Sequence, residues 1–290
     1  MSHAALPPET AAIDALTGKI VHAVYSCRFL TAPQIARLFP QDHDTTEDAV
    51  FLLVNSEYLT AIKRPTLDPY APNIVYALAR RGASLVADRL GIDRRHVTWR
   101  RHQNQVGLQF LDHRLAVNDV RIALTMGLAR LGGRVEYWWY EFPIEESIDD
   151  PDELAPPLKL RPDAYVRCRA RVRGCHFFIE ADLATESHPR FASKIRRYLA
   201  YKDSTLFRAH IGGKAFRVLI VVPGPTRLRA LKHVVEHEGG KRMFWLAALP
   251  DVTEHNIDAP IWQLAGEKDR AALFEGPIPS PSLQAGSNGP

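Results

Sequence analysis

Two alternating runs meet at Gly174. Residues 161–173 (RPDAYVRCRARVR) alternate apolar Ala164, Val166, Cys168, Ala170 and Val172 with Asp163, Tyr165, Arg167, Arg169, Arg171 and Arg173. Residues 176–183 (HFFIEADL) set Phe177, Ile179, Ala181 and Leu183 against Glu180 and Asp182. Side chains two apart on a strand share a face, so each run predicts a strand with one apolar side, and the glycine predicts the turn between them. Folded together, they form a surface that is acidic at one end, where Asp163, Glu180 and Asp182 leave the core, and cationic along its length.

The flanking pattern extends this pair into a layered unit. Residues 108–131 carry a helical stripe through Val117, Val120, Leu124, Leu128 and Leu131, stopped by Gly132 and Gly133. A strand (VEYWWYEF), an acidic Pro-rich loop, the two strands above, a helix over 189–203, a strand (AFRVLIVVP), a helix over 226–238 and a last strand (MFWLAAL) follow. The order αβββαβαβ predicts a mixed sheet with helices packed against it, an α/β (α+β) fold. Charge is sorted along it: residues 136–153 hold eight acids and no Lys or Arg, whereas 158–202 hold eleven Lys or Arg against four acids. The overall balance, 37 basic against 33 acidic residues, names no partner by itself.

The first part of the chain reads differently. Residues 11–29 show a helical apolar pattern; Thr31 is placed to cap a short second helix with Pro33 in its first turn. TTEDAVFLLVNSEY predicts a third helix, and LTAIKRP and NIVYALA predict two strands joined by TLDPYAP before a helix opened by RRGASLVADRL. Helix, helix, helix, hairpin, helix is the order of a winged helix, whose third helix enters the major groove; a small helical dimerisation domain has the same outline. Arg37, Asn55, Lys63 and Arg64 are the DNA-contact candidates there. Between the halves, DRRHVTWRRHQNQ carries four arginines in eight residues. Arg100 and Arg101 in it are candidates for phosphate contact, and a solvated linker is the alternative. The expected division is a flexible 1–10, a winged helix over 11–93, a basic linker over 94–106, a second domain over 107–275 and an unstructured tail over 276–290.

Clustered carboxylates repel unless a cation holds them, and oxygen ligands at this spacing suit Mg²⁺ or Mn²⁺. A row of arginines beside such an ion would hold a polyanion over it, which is the equipment of phosphodiester hydrolysis through a metal-activated water. The helix after the third strand adds Lys194, Tyr198 and Lys202 on one face. Lys194 is placed to orient water or neutralise phosphate, Lys202 to contact DNA, and Tyr198 is a minor alternative as a covalent nucleophile. Three cysteines, Cys27, Cys168 and Cys175, lack zinc-like spacing and suit a reducing cytoplasm. No run approaches the length of a membrane helix.

RPDAYV, FFIEADLATES and FASKIRRYLAYKD together resemble the PD-(D/E)xK nuclease core. With LDHRLAVNDVRIAL, WWYEF and the N-terminal pattern included, residues 10–222 resemble the replication-relaxation family, which includes the MOB-C class of plasmid mobilisation relaxases. The resemblance implies Asp163 and Glu180 as metal ligands, Asp182 as a further acid and Lys194 as a lysine donated from the next helix. It also implies that Asp119 and Glu141 complete the site; His113, on the same helix, is as readily a structural histidine. Asp182 stands where the (D/E)xK lysine would be.

Two readings follow for the whole chain. One is a metal-dependent endonuclease nicking double-stranded plasmid or mobile-element DNA at an origin of transfer or replication. The other is a non-catalytic DNA-binding accessory or regulator on a degenerate nuclease fold. Conjugation-coupling or replication proteins are candidate partners, an adaptor role for the acidic loop from Glu145 to Glu153 is a third idea, and a homodimer is compatible with all three.

Overall fold

The computed structural model describes residues 15–66, 72–145, 158–170, 173–212 and 215–274. Most of the TLDPYAP turn, the acidic loop beyond Glu145, Arg171 and both chain ends lie outside the described residues. The chain forms two units, residues 1–118 and 119–290.

In the first unit, α1 (Ala15–Cys27) leads into the short strand β1 (Phe29–Thr31), α2 (Ala32–Leu38), a single 3-10 turn and α3 (His43–Asn55). Then come β2 (Leu59–Lys63), β3 (Ile74–Leu78) and α4 (Arg80–Leu90). Thr31 caps α2 as its sequence suggests: its hydroxyl accepts from Gln34 N, and the Gln34 side chain accepts from Thr31 N in return. The three strands form an antiparallel sheet in the order β1-β3-β2, with Phe29 opposite Ala77 and Ile62 opposite Val75. At three residues β1 is too short to carry a periodic signal, and it exists through its pairing with β3. Ile20, Val24, Phe29, Leu30, Ile35, Leu53 and Val75 fill the core.

The basic segment is not a free linker. Arg94–His96 and Arg101–Asn104 form 3-10 turns, Val97 between them is fully buried, and Asn104 donates to the Leu78 carbonyl at 2.9 Å. The division between the units falls further on, inside the 23-residue helix α5 (Leu108–Arg130). The amino-terminal half of α5 belongs to the first unit because Leu111 and Leu115 pack on Phe29, Val75 and Ala77. Buried polar bonds add to this: Gln34 donates to the Leu115 carbonyl at 2.9 Å, and Asn118 donates to the Phe29 carbonyl at 2.6 Å. A mid-helix asparagine is unfavourable by propensity; here its buried amide donates to the carbonyls of Cys27 and Phe29 on either side of the α1–β1 turn.

The second unit continues with β4 (Arg134–Tyr140), the two-residue strands β5 (Ile144–Glu145) and β6 (Lys159–Leu160), β7 (Ala164–Ala170) and β8 (Arg173–Ala181). After these come α6 (His188–Asp203), α7 (Thr205–Ile211), β9 (Arg217–Val222), α8 (Pro225–His237), β10 (Phe244–Ala248), β11 (Trp262–Leu264) and β12 (Arg270–Ala271). Among the described residues, seven strands make one mixed sheet in the order β12-β11-β10-β9-β8-β7-β4. β8, β9 and β10 run parallel, and the other pairings are antiparallel. The anticipated α/β order is present, extended by β5, β6, α7, β11 and β12. Tyr165, Phe178, Val218, Ile220, Phe244 and Leu246 face α6 and α8 through Phe191, Ile195, Tyr198, Leu228, Leu231 and Val235. On the other side, Arg121 of α5 stacks over Trp138 and Tyr140 of β4. α5 thus lies over the β4 edge of that face, while Val218–Val222 of β9 and all of β10 are apolar and buried, as central strands of a sheet are. Among the described residues, no helix is long and apolar enough to cross a membrane.

Candidate functional site

The β7–β8 register sets the site. Tyr165 lies opposite Phe178 and Arg167 opposite His176; one step beyond Ala164 and Ile179, the same register brings Asp163 opposite Glu180. Asp163 holds its place by two bonds to β8: its N–H donates to the Ile179 carbonyl at 3.1 Å, and its Oδ2 accepts from Ala181 N at 2.7 Å. Glu180 is 1% exposed beneath α6. Lys194 Nζ donates to Glu180 Oε2 at 2.8 Å and Tyr198 OH donates to Oε1 at 2.5 Å. The i, i+4 spacing of Lys194 and Tyr198 is what lets both reach one carboxylate. Lys194 also pairs with Glu186 at 3.3 Å, a residue the sequence reading passed over.

Electrostatics follow from burial. Desolvation pushes the Glu180 carboxyl up to about 7, against the pull of Lys194, and the nearby Asp163 charge adds to the rise. Burial opposes the Lys194 charge, but Glu180 and Asp163 outweigh it and hold the ammonium above its ordinary range. The Tyr198 hydroxyl, fully buried and donating to Glu180, is raised well above the ordinary phenol value. A hydroxyl so held is a structural donor and a poor nucleophile, which disfavours the covalent alternative.

The third expected acid goes elsewhere. Asp182 receives Arg227 of α8 through two bonds, Nη2 to Oδ2 at 2.7 Å and Nε to Oδ1 at 3.2 Å, and accepts from Ala184 N at 2.6 Å. Arg227 also donates to the Glu186 carbonyl at 2.5 Å, so Asp182 and Arg227 together pin the turn between β8 and α6, where Ala184 takes a left-handed φ of 62°. Asp163, Glu180 and Asp182 do not converge, and among the described residues no three acidic, His or Cys side chains form a group able to hold a metal. Glu141 continues the Asp163 rung into the β4 edge, its N–H donating to the Asp163 carbonyl at 2.9 Å, while its carboxylate pairs with Arg161 at 2.8 Å. Asp119 and His113 are half-buried on α5.

The cationic end is open. Arg134, Arg167 and Arg169 fan around one carboxylate, Glu136, at 2.9, 3.4 and 2.8 Å. The Arg169 bond foremost holds Glu136 below the usual carboxylate range. Lys202 is exposed on α6, and Arg171 lies outside the described residues. In the first unit, Asn55, Lys63, Arg100 and Arg101 are exposed and Arg37 is half-buried. Arg64 is committed to Asp112 and to the Pro72 carbonyl.

Residues 21–214 match the replication-relaxation family model, and the chain belongs to the replication-relaxation family. Membership ties it to plasmid replication and relaxation, and so to DNA. No curated protein matches its sequence. A crystal structure of an XisH family protein from Nostoc punctiforme covers 51% of this chain and 98% of its own, at 8% identity and a TM-score of 0.32, a likeness too loose to carry any conclusion.

Proposed function

We propose that the second unit is a metal-dependent DNA endonuclease of the PD-(D/E)xK kind, nicking plasmid or mobile-element DNA at an origin of transfer or replication. The observation that carries this reading is the facing pair Asp163 and Glu180 with Lys194 at 2.8 Å from Glu180. Two carboxylates fit Mg²⁺ or Mn²⁺, which take one or two protein carboxylates and leave their remaining positions to water and phosphate. The metal would supply Lewis acidity to the scissile phosphate and a nucleophile at neutral pH. Asp163 and Glu180 would hold it, and Lys194, delivered from α6 in place of the strand lysine, stabilises charge building on the phosphate. Asp182 takes no part in the chemistry and secures the turn that leads into α6.

The order of the first unit supports a winged helix that brings this site to duplex DNA. Among the α3 positions whose burial is described, Thr45, Glu47, Asp48, Phe51, Leu52 and Asn55 are exposed and none is basic, so phosphate contact falls to Lys63 and the 94–101 arginines rather than to the helix face. Incubated with supercoiled cognate plasmid and Mg²⁺ or Mn²⁺, the protein is expected to yield nicked circles. Equal nicking by Asp163→Ala would overturn the reading.

A second reading rests on one observation: both Glu180 oxygens and one Asp163 oxygen already have protein donors. Such a network can close without a metal, and the unit would then be a DNA-binding platform that accompanies replication or transfer. It predicts DNA binding by the wild type with no nicking under either metal.

A further inference from the structure

We infer that the open end of the β4–β7–β8 face is a binding groove for single-stranded DNA, in which unstacked bases lie on Tyr137 and Trp139 and phosphates on Arg134, Arg167 and Arg169. The inference rests on the nuclease reading for its direction toward DNA, and it adds the strand state of the substrate.

The groove has a volume of about 900 Å³ and is lined by Arg134, Glu136, Tyr165, Arg167, Arg169 and His176 among others. Its arginines are 64%, 54% and 48% exposed at the side chain, against 14% for the Glu136 that gathers them. Three guanidiniums and one carboxylate leave a net positive cluster, with His176 and His210 beside it. Glu136 keeps the guanidiniums side by side, a geometry that suits successive phosphates.

Beside this cluster, Tyr137 lies opposite Arg167 and Trp139 opposite Tyr165, so both rings stand on the same face as the arginines. Each is 44% exposed, with ring centroids 6.0 Å apart. Large aromatics are costly to leave in water, and among the described residues β4 is the last strand of its sheet. Arginines interleaved with exposed rings are the equipment for holding single strands, whose bases have free π-faces. In a duplex those faces are stacked on one another, so rings on a flat sheet gain little from it.

The direction of the face also fits. Asp163, Tyr165, Arg167 and Arg169 follow one another at alternate positions, so the arginines sit roughly 13 to 20 Å along the strand from the carboxylate pair at about 3.3 Å per residue. A strand laid on the groove points toward Asp163 and Glu180.

The test is fluorescence anisotropy of a labelled single-stranded 12-mer and of a duplex of matching sequence, with full-length protein in EDTA. Tyr137→Ala/Trp139→Ala is expected to weaken single-strand binding at least tenfold and to change duplex binding by less than about twofold. Arg134→Ala/Arg167→Ala is expected to flatten the salt dependence of single-strand binding by roughly two phosphate contacts. Unchanged single-strand affinity in the aromatic variant, or equal loss for both DNAs, would overturn the groove. Because no metal is present, a failed nicking assay and a failed groove are separate results.

Discussion

The two ends of the β7–β8 face share one alternation pattern and differ in what lies over them. At the Asp163 end, α6 covers the sheet, Glu180 is buried, and each of its oxygens receives a donor from that helix. At the Arg169 end the same row meets solvent, and three arginines share one glutamate at side-chain exposures near one half. Burial turns the first end into a site where single charges are worth several kcal/mol; exposure leaves the second a surface where they act on association and salt dependence.

The sharpest way to break this comparison is at Lys194. Lys194→Ala leaves Glu180 buried without its cation, and a loss of about 3–5 kcal/mol in stability is expected by denaturant titration. Nicking by the folded fraction is expected to fall on the order of 10²–10³-fold. Lys194→Arg should recover part of the stability and less of the activity.

A pH titration of stability in chelator comes next. The folded Glu180 carboxyl, at about 7, lies above its ordinary value near 4.5. Its contribution is therefore fully present below the unfolded pKa and is lost as pH rises through about 7. The size is roughly 3 kcal/mol from 1.36 kcal/mol per pKa unit. Glu180→Gln should flatten this slope between pH 4.5 and 7; an unchanged slope would contradict the assignment.

Asp182 tests the boundary of the buried site. Asp182→Asn weakens the hold on Arg227 and is expected to cost about 1–3 kcal/mol in thermal or chemical denaturation, with nicking per folded molecule unchanged within a few fold. A loss of activity as deep as that of Lys194→Ala would return Asp182 to the chemistry. The smallest effect belongs to the open end: Arg167→Ala should shift stability by less than about 0.5 kcal/mol, while lowering the salt slope of DNA binding by about one.

Much of this could be read from residue order. Alternation across Gly174 put Asp163, Tyr165, Arg167 and Arg169 on one face, and the α6 spacing put Lys194 and Tyr198 together. The fate of Asp182 could not be read, because Arg227 reaches it from 45 residues away across the β8–α6 turn. Nothing local to α8 marks that arginine among its other basic residues. β1 escaped notice because three residues cannot show a period. The unit boundary was expected near residue 107 and lies within α5, because helical periodicity records that a stripe is apolar and not which core receives it. The 94–106 segment read as a linker because of its charge, while Val97 and Asn104 anchor it.

Calorimetric titration of Mn²⁺ into wild-type protein, Asp163→Asn and Asp182→Asn tests the central claim most directly. One saturable site is predicted in the wild type, weakened roughly tenfold or more in Asp163→Asn and retained in Asp182→Asn. No site in the wild type, or one that survives in Asp163→Asn, would contradict the account.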